Sequence, residues 1–253
     1  MRDITLNGYI DEETIFGDEF TPAMVHEALY SGIDEEPDDV NIVLNSYGGS
    51  VNAAVRIHDD IAAYPGMVSI VISGTAASAA TIVAQAADQL QMTPGSLFMC
   101  HDPSMVAMGN ERDLKDAIRQ LQACKESIIN TYAKRCTLSR DQIAALMSKT
   151  TWMDANEALK DGFIDGILDQ APVGAEFITD AAISRETNQA EAEAKVRAWQ
   201  ERHKPGHVNV VVNDRPTVTV QMKMPEAKAD DEPGTPAEYL NKRLELIKPN
   251  DKK

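Results

Sequence analysis

The sequence predicts an α/β fold, in which repeated βαβ units build a largely parallel sheet with helices on its faces. Short apolar runs rich in Val and Ile alternate with segments of helical periodicity over the first hundred residues, and this alternation is typical of parallel sheets. A much longer helical pattern follows the last of these runs, at residues 111–136.

The first βαβ unit begins close to Met1. Three apolar side chains with period-2 spacing predict its first strand, namely Ile4, Leu6 and Ile10. Thr21 is a suitable N-cap, and Pro22 a favourable first residue, for the helix that comes next. The β-branched run VNIVLN at 40–45 predicts the second strand.

The same order then repeats. A helix follows Gly49, the apolar run at 67–73 predicts a buried strand, and an Ala-rich helix begins at about Ser78. Two short strands are predicted next, at 89–92 and 97–100. Strands that alternate with helices in this way favour right-handed crossovers within one sheet.

The segment 111–136 has the pattern of one long amphipathic helix, with Asn110 as its predicted N-cap. Apolar residues recur at helical spacing along it: Leu114, Ile118, Leu121, Ile128 and Tyr132. A shorter helix is predicted at 140–147. The spacing of Asp154 and Glu157 predicts a capping box, a structural rather than catalytic role.

The composition and the predicted secondary structure of the chain change at about residue 170. We expect residues 1–170 to form one domain and residues 171–253 to form a C-terminal α+β extension. The extension is predicted to contain a helix, a β-hairpin, a Pro- and Gly-containing linker and a short final helix.

The charge pattern argues against nucleic acid or an anionic membrane as a partner. Residues 1–170 hold 11 basic and 26 acidic residues, and the first hundred contain only two cations, Arg2 and Arg56. A surface of that sign repels polyanions. The acidic N-terminus lacks an apolar signal-peptide core, and no stretch approaches the roughly 18 apolar residues of a membrane span.

The cysteines indicate a reducing compartment, and we expect a cytoplasmic protein. Three are present, Cys100, Cys124 and Cys136, without C-x-x-C spacing. That pattern predicts neither a disulfide framework nor a zinc site. We expect no metal and no cofactor.

Three motifs stand where predicted strands end: NSYGGS at 45–50, SGTAASAA at 73–80 and LFMCHDP at 97–103. The carboxyl ends of parallel strands meet at one edge of a sheet, where backbone N–H donors also converge. Ser78 is therefore a candidate nucleophile and His101 a candidate base. Taken singly, each residue is better explained structurally, Ser78 as a helix N-cap and His101 as a loop residue.

Together these motifs resemble the Clp protease proteolytic subunit (ClpP) family, the serine peptidase branch of the ClpP/crotonase fold. NSYGGSVNAA is similar to the family's N-S-P-G-G stretch, GTAASAA to its G-x-A-A-S-x-A motif, and MCHDP to its M-I-H-x-P motif. The long helix after the histidine and the segment WMDANEALKDGFID also match. The resemblance spans about residues 1–170 and implies peptide hydrolysis through an acyl-enzyme.

Residue by residue, the resemblance implies that Ser78 is the nucleophile and His101 the general base. It assigns the oxyanion-hole N–H groups to Gly49 and Ala79. The run from Gly48 to Val51 and the segment after His101 would hold the substrate as an added strand. The family further implies a ring-shaped homo-oligomer that acts on proteins or peptides.

The third triad position departs from the family. The family's acid lies two residues before the aromatic residue that Trp152 matches, and that position is Thr150 here. A hydroxyl can accept from an imidazole N–H but cannot stabilise imidazolium as a carboxylate does. Asp102 and Asp154 stay open as alternatives.

Two other nucleophile systems are disfavoured. A Ser-Lys dyad, as in the related signal-peptide peptidases, is unsupported because no lysine precedes Lys115. Cys100 is a weak candidate because its strand position predicts a buried thiol.

The resemblance extends to peptidases of tailed bacteriophages and prophages, which mature capsids. The first strand begins almost at Met1, without the stretch that contacts an unfoldase in ATP-dependent members, and the long extension is atypical of them. We therefore expect an ATP-independent endopeptidase of the phage prohead or host cytoplasm. The alternatives are a chamber subunit fed by an ATP-dependent unfoldase and a catalytically silent assembly protein.

Overall fold

The computed structural model describes residues 2–14, 16–31 and 37–169 and the backbone of 176–177. The strands are β1 (Arg2–Asn7), β2 (Tyr9–Ile10), β3 (Glu19–Phe20), β4 (Val40–Ser46), β5 (Val68–Ala77), β6 (Gln89–Met92), β7 (Leu97–Cys100), β8 (Thr151–Asp154), β9 (Gly166–Ile167) and β10 (Glu176–Phe177). The helices are α1 (Pro22–Tyr30), α2 (Val51–Ala62), α3 (Ala79–Ala84), α4 (Glu111–Tyr132), α5 (Arg140–Ser148) and α6 (Ala155–Lys160).

The central sheet is mostly parallel, as the sequence predicted. Its main path runs β10-β1-β4-β5-β6-β9, and every neighbouring pair on that path is parallel. β7 pairs in parallel with the second half of β5 and carries β8 as an antiparallel neighbour. The α/β prediction is confirmed.

The core lies between the central strands and the helices that cross over them. Alternate residues of β4, including Ile42 and Leu44, are fully buried, and β5 buries Ile70 and Ile72. α2 contributes one buried face to the same core, with its apolar positions Ala53, Ala54, Ile57 and Ile61. This burial supplies the main stabilisation of the unit, at roughly 25 cal/mol per Å² of apolar surface.

β5 is longer than the sequence pattern indicated. The apolar run ends at Ser73, but the strand continues to Ala77 because it changes partner, from β6 at Ser69–Ile72 to β7 at Thr75–Ala77. At the changeover Gly74 has φ 110°, and Asn45 Oδ1 accepts a hydrogen bond from the N–H of Thr75 at 2.9 Å. Periodicity alone could not reveal this second pairing.

Two other boundaries differ from the predictions. The first strand stops at Asn7 because Gly8 has φ 127°, so Ile10 lies in β2 and pairs with Phe20 of β3. The long helix ends at Tyr132 rather than at 136. There, backbone hydrogen bonds with i→i−3 spacing appear, from the N–H of Lys134 to the carbonyl of Thr131 and from the N–H of Arg135 to the carbonyl of Tyr132. These bonds close the helix in a turn.

The predicted caps form. Thr21 Oγ1 accepts from the N–H of Met24 at 3.3 Å at the start of α1. Asp154 Oδ1 accepts from the N–H of Glu157 at 2.8 Å, and Glu157 accepts in return, so the capping box of α6 is present. The structural interpretation of that carboxylate pair is confirmed.

Residues 105–119 belong to a second compact unit and include the start of α4. Asn110 Oδ1 accepts from the N–H groups of Arg112 and Asp113, as its predicted capping role requires. The apolar stripe of the helix is exposed in this unit at Leu114 and Ile118.

The extension predicted for residues 171–253 lies outside the described residues, apart from the backbone of β10. β10 pairs in parallel with β1, with Glu176 opposite Ile4 and Phe177 opposite Thr5. Within the described part of the chain, no helix combines the length and apolar content that crossing a membrane requires.

Candidate active site

Ser78 lies between β5 and α3. β5 ends at Ala77 and α3 begins at Ala79, so one residue makes the whole turn from strand to helix. Its backbone has φ 57° and ψ −126°, a conformation that residues other than glycine rarely adopt and that often marks a functional site. The N–H of Ser78 donates to the carbonyl of Met99 on β7 at 2.9 Å.

The hydroxyl of Ser78 points to His101 and not to the helix. It makes no cap hydrogen bond with α3, and its Oγ lies 2.6 Å from Nε2 of His101. The two side chains that the sequence singled out are therefore in direct contact, although they are 23 residues apart. Ser78 stands at the N-cap position of α3, but its hydroxyl does not cap the helix because it contacts His101 instead.

His101 directly follows β7, and the pairing of β7 with β5 explains its position. Ala77 lies opposite Met99 in the parallel register, so the residues that follow each strand emerge at the same edge of the sheet. Burial lowers the pKa of His101 below 6.5, and the nearby charge of Asp102 opposes that shift. The imidazole is therefore neutral at neutral pH, the state in which Nε2 can accept a proton.

Gly48 brings the β4–α2 loop against the serine turn, and Gly49 brings the same loop against β2. A Cβ on Gly48 would lie 2.6 Å from the Ala77 carbonyl oxygen and 2.9 Å from Cβ of Ser78. A Cβ on Gly49 would lie 2.0 Å from the carbonyl oxygen of Ile10. Both glycines also have positive φ, 92° and 147°, so only glycine allows this approach.

Two backbone N–H groups beside Ser78 are available to a ligand. In the described ranges, neither Gly49 nor Ala79 donates its N–H to a protein acceptor. The N–H of Gly48, in contrast, is occupied by Ser46 Oγ at 3.0 Å. Free N–H donors next to a nucleophile are the elements of an oxyanion hole.

Thr150 reaches the same edge of the sheet through β8. The antiparallel register pairs Thr151 with Cys100, and the next pair in that register is Thr150 and His101. The side chain of Thr150 is exposed and its φ is 52°. Within the described part of the chain, no hydrogen bond joins its hydroxyl to Nδ1 of His101, and its role as third member stays a prediction.

Asp102 is held by its own partners. Lys125 Nζ lies 2.8 Å from Oδ1, and the hydroxyl of Ser148 donates to Oδ2 at 3.0 Å. Burial lowers the pKa of His101, and the negative charge of Asp102 nevertheless opposes that lowering. Asp102 therefore acts on the imidazole through space. Asp154, the other carboxylate considered, is engaged as the cap of α6.

The Lys125–Asp102–Ser148 cluster was not found from the sequence. Its members come from α4, from the residue after His101 and from the end of α5. From the sequence, only Asp102 could be singled out, because it is the acid next to His101. The sequence spacing of Lys125 and Ser148 did not indicate that they bind Asp102.

Cys100 is fully buried in β7, as its strand position predicted. Burial raises the pKa of its thiol to about 11, so at neutral pH it is not the thiolate that a cysteine nucleophile requires. Across the residues that the structure describes, no group of three or more His, Cys, Asp or Glu side chains is arranged to hold a metal ion.

Comparison with known proteins gives consistent results. A family model, Clp protease, matches residues 2–171. The ATP-dependent Clp protease proteolytic subunit 1 of Chlamydia muridarum is 31% identical over 177 residues, an alignment that covers 66% of this chain and 92% of that protein. An ATP-dependent Clp protease proteolytic subunit of Bacteroides fragilis is 32% identical over 144 residues, or 56% of this chain and 70% of that protein.

A solved structure has the same fold. An Asn-to-Asp variant of ClpP1 from Listeria monocytogenes superimposes with a TM-score of 0.55 at 26% sequence identity. The superposition covers 67% of this chain and 92% of the Listeria protein.

Proposed function

The chain belongs to the Clp protease family, and from that membership we propose that it is a serine endopeptidase with Ser78 as nucleophile and His101 as general base. The observation that carries the proposal is the 2.6 Å contact between Ser78 Oγ and His101 Nε2. It lies at a strained turn, beside the free N–H groups of Gly49 and Ala79.

In the first half of the reaction, Ser78 Oγ attacks the carbonyl carbon of the scissile peptide while Nε2 of His101 takes the hydroxyl proton. The carbonyl oxygen becomes an oxyanion, and the N–H groups of Gly49 and Ala79 donate to it. The C–N bond then breaks as His101 returns the proton to the leaving amine. The product is an ester of Ser78 with the acyl part of the substrate.

In the second half, water replaces the amine. His101 removes a proton from the water as its oxygen attacks the ester carbonyl, and the same oxyanion donors stabilise the second tetrahedral intermediate. Ser78 leaves with the proton that His101 held, and a free carboxylate is released. The neutral imidazole that burial favours is the starting state for both halves.

The third triad member is proposed at Thr150, the family's acid position. The register of β7 with β8 supports this because it puts Thr150 next to His101 in the pairing. The charge of Asp102, the residue after His101, contributes electrostatically by favouring the imidazolium that forms in the transition state.

We propose a ring-shaped homo-oligomer, the assembly that the family forms. Leu114 and Ile118 support the oligomer because they are 43% and 54% exposed on α4, and large exposed apolar side chains favour association. The mass of the assembly can be measured by native mass spectrometry.

We propose proteins as substrates, with capsid or scaffold proteins of a phage prohead as the specific class. The extension beyond residue 171, where the family match ends, supports a role outside housekeeping proteolysis. The three cysteines are free thiols, which fits a cytoplasmic setting. The second candidate is the proteolytic chamber of an ATP-dependent machine, which the names of the Chlamydia and Bacteroides relatives favour.

One experiment tests the activity. The full-length chain and its Ser78→Ala variant are treated with a fluorophosphonate, which reacts with activated serines, and the adduct is located by mass spectrometry. We expect a single adduct on Ser78 and hydrolysis of a fluorogenic peptide by the unmodified chain only. Labelling elsewhere, or none, would favour the silent assembly protein. Degradation of a folded substrate with and without ATP and an unfoldase separates the two active alternatives.

A further inference from the structure

A chain of buried hydroxyl groups connects α4 to the peptide group that follows Ser78. The hydroxyl of Thr81 lies 2.5 Å from the carbonyl oxygen of Ser78 and 2.6 Å from the hydroxyl of Tyr132. Thr81 is fully buried and Tyr132 is 1% exposed. Tyr132 is the last residue of α4, more than fifty residues from Ser78 along the chain.

The direction of this chain follows from its chemistry. A carbonyl oxygen can only accept, so the Thr81 hydroxyl uses its one proton on Ser78. The hydroxyl of Tyr132 must then donate to Thr81 Oγ1. The order is Tyr132 to Thr81 to the Ser78 carbonyl.

The Ser78 carbonyl belongs to the same planar peptide unit as the N–H of Ala79. An orientation imposed on the carbonyl oxygen is therefore imposed on that N–H, which points the opposite way. The other side of the serine is fixed by its N–H bond to Met99. The Ser78 carbonyl also accepts from the backbone N–H of Thr81 at 3.0 Å. Both peptide groups around the strained Ser78 backbone therefore have hydrogen-bond partners, and the hydroxyl chain adds a second bond on the carbonyl side.

The phenol ring of Tyr132 packs against two phenylalanine rings. Its centroid lies 5.5 Å from that of Phe163 in an edge-to-face arrangement and 6.5 Å from that of Phe98. Phe98 belongs to β7, the strand that leads to His101. The ring packing therefore gives the hydroxyl a fixed position relative to β7.

We propose that Tyr132 and Thr81 are positioning residues that aim the N–H of Ala79 into the oxyanion hole. This inference rests on the proposed serine peptidase function. Tyr132 and Thr81 touch no reacting atom in this mechanism; they act through the Ser78–Ala79 peptide. Their removal weakens transition-state stabilisation and leaves substrate binding almost unchanged, because the oxyanion exists only after attack.

The test compares Tyr132→Phe with Tyr64→Phe in the full-length chain. Tyr64 is also buried, and its hydroxyl donates to a backbone carbonyl, that of Asp38, at 2.8 Å. Each substitution removes one hydroxyl and one hydrogen bond, but only Tyr132 connects to Ser78. A purely structural role predicts the same behaviour for both variants.

We expect Tyr132→Phe to lower kcat for a fluorogenic peptide by about tenfold, part of the 10²–10³ lost when a whole oxyanion donor is removed. KM should stay within about twofold. The affinity for a peptide boronate, which presents an anionic tetrahedral centre to the hole, should fall by about the same factor as kcat. Tyr64→Phe should match the unmodified chain in kcat, in KM and in its affinity for the boronate.

A second pair of variants keeps the test decisive if Tyr132→Phe fails to fold. Thr81→Ser retains the hydroxyl and should retain most activity, whereas Thr81→Val keeps the shape and should lose at least tenfold in kcat. Equal effects of Tyr132→Phe and Tyr64→Phe, or full activity in Thr81→Val, overturn the inference while the peptidase assignment stands. Failure of the unmodified chain to label at Ser78 overturns both.

Discussion

The N–H of Ser78 donates to the carbonyl of Met99 at 2.9 Å, and this bond fastens the serine turn to the strand that ends beside His101. Ser78 Oγ at this turn lies 2.6 Å from His101 Nε2. The pairing of β5 with β7 thus brings the two residues of the candidate site together. We therefore expect substitutions of Ser78 to change the stability of the turn as well as the activity.

The turn at Ser78 should be more stable without a side chain. Ser78→Ala removes the nucleophile and should abolish peptide hydrolysis, yet it keeps φ 57° with a Cβ present. Ser78→Gly is equally inactive but relieves backbone strain of about 1–3 kcal/mol, partly offset by about 0.5–1 kcal/mol of unfolded-state entropy. Urea unfolding should therefore show Ser78→Gly to be about 1 kcal/mol more stable than Ser78→Ala. Hydrolysis at the normal rate by either variant would refute the nucleophile assignment.

The pH dependence of activity should follow His101. Because burial holds the pKa of His101 below 6.5, kcat/KM should be level through neutral pH and fall only as the imidazole is protonated in more acidic buffer. Asp102→Asn removes the charge that raises this pKa and leaves the Lys125 cation nearby, so the acid limb should move to still lower pH. The pH profile of kcat/KM for one peptide, measured on the unmodified chain and on Asp102→Asn, gives the position of the acid limb in each. A shift to higher pH would mean that Asp102 acts on His101 by another route.

Thr150→Asp should raise kcat/KM if Thr150 occupies the acid position. A carboxylate there would hold the tautomer of His101 and stabilise imidazolium, an effect whose loss in a Ser-His-Asp triad costs about 10⁴ in kcat. We expect a gain far smaller than that, because a new charge carries a desolvation cost. Thr150→Val should lower activity.

The matched control for Thr150 is Thr151→Val. The neighbouring hydroxyl of Thr151 donates to the carbonyl of Leu146 at 2.8 Å, so its loss affects structure and not the imidazole. If Thr150→Asp, Thr150→Val and the unmodified chain have the same kcat/KM and pH profile, the third member lies elsewhere.

The boundary of the peptidase domain should lie after β10. A chain that ends at Ala171 lacks this strand and leaves one edge of β1 unpaired, whereas a chain that ends at Asp180 keeps the pairing at Ile4 and Thr5. We expect the longer chain to unfold about 2–4 °C higher, as roughly 1 kcal/mol predicts for a domain of this size, and to retain the peptide hydrolysis of the full chain. Equal melting temperatures in calorimetry would show that β10 contributes nothing.

The sequence by itself determined the α/β class, the order of strands and helices, the caps at Thr21 and Asp154 and the family. These follow from local patterns, because periodicity and capping depend on neighbours a few residues apart. It also singled out Ser78 and His101, since both stand at strand ends where small residues leave the backbone open.

Only the tertiary structure decided which groups surround them. The change of partner along β5, the clash that forces glycine at Gly49, the ion pair of Asp102 with Lys125 and the hydroxyl chain from Tyr132 all join residues distant in sequence. A buried tyrosine on a helix face indicates that its hydroxyl needs a partner, but not which one. That choice depends on how helices and strands pack, and packing is set by the whole core rather than by any local stretch.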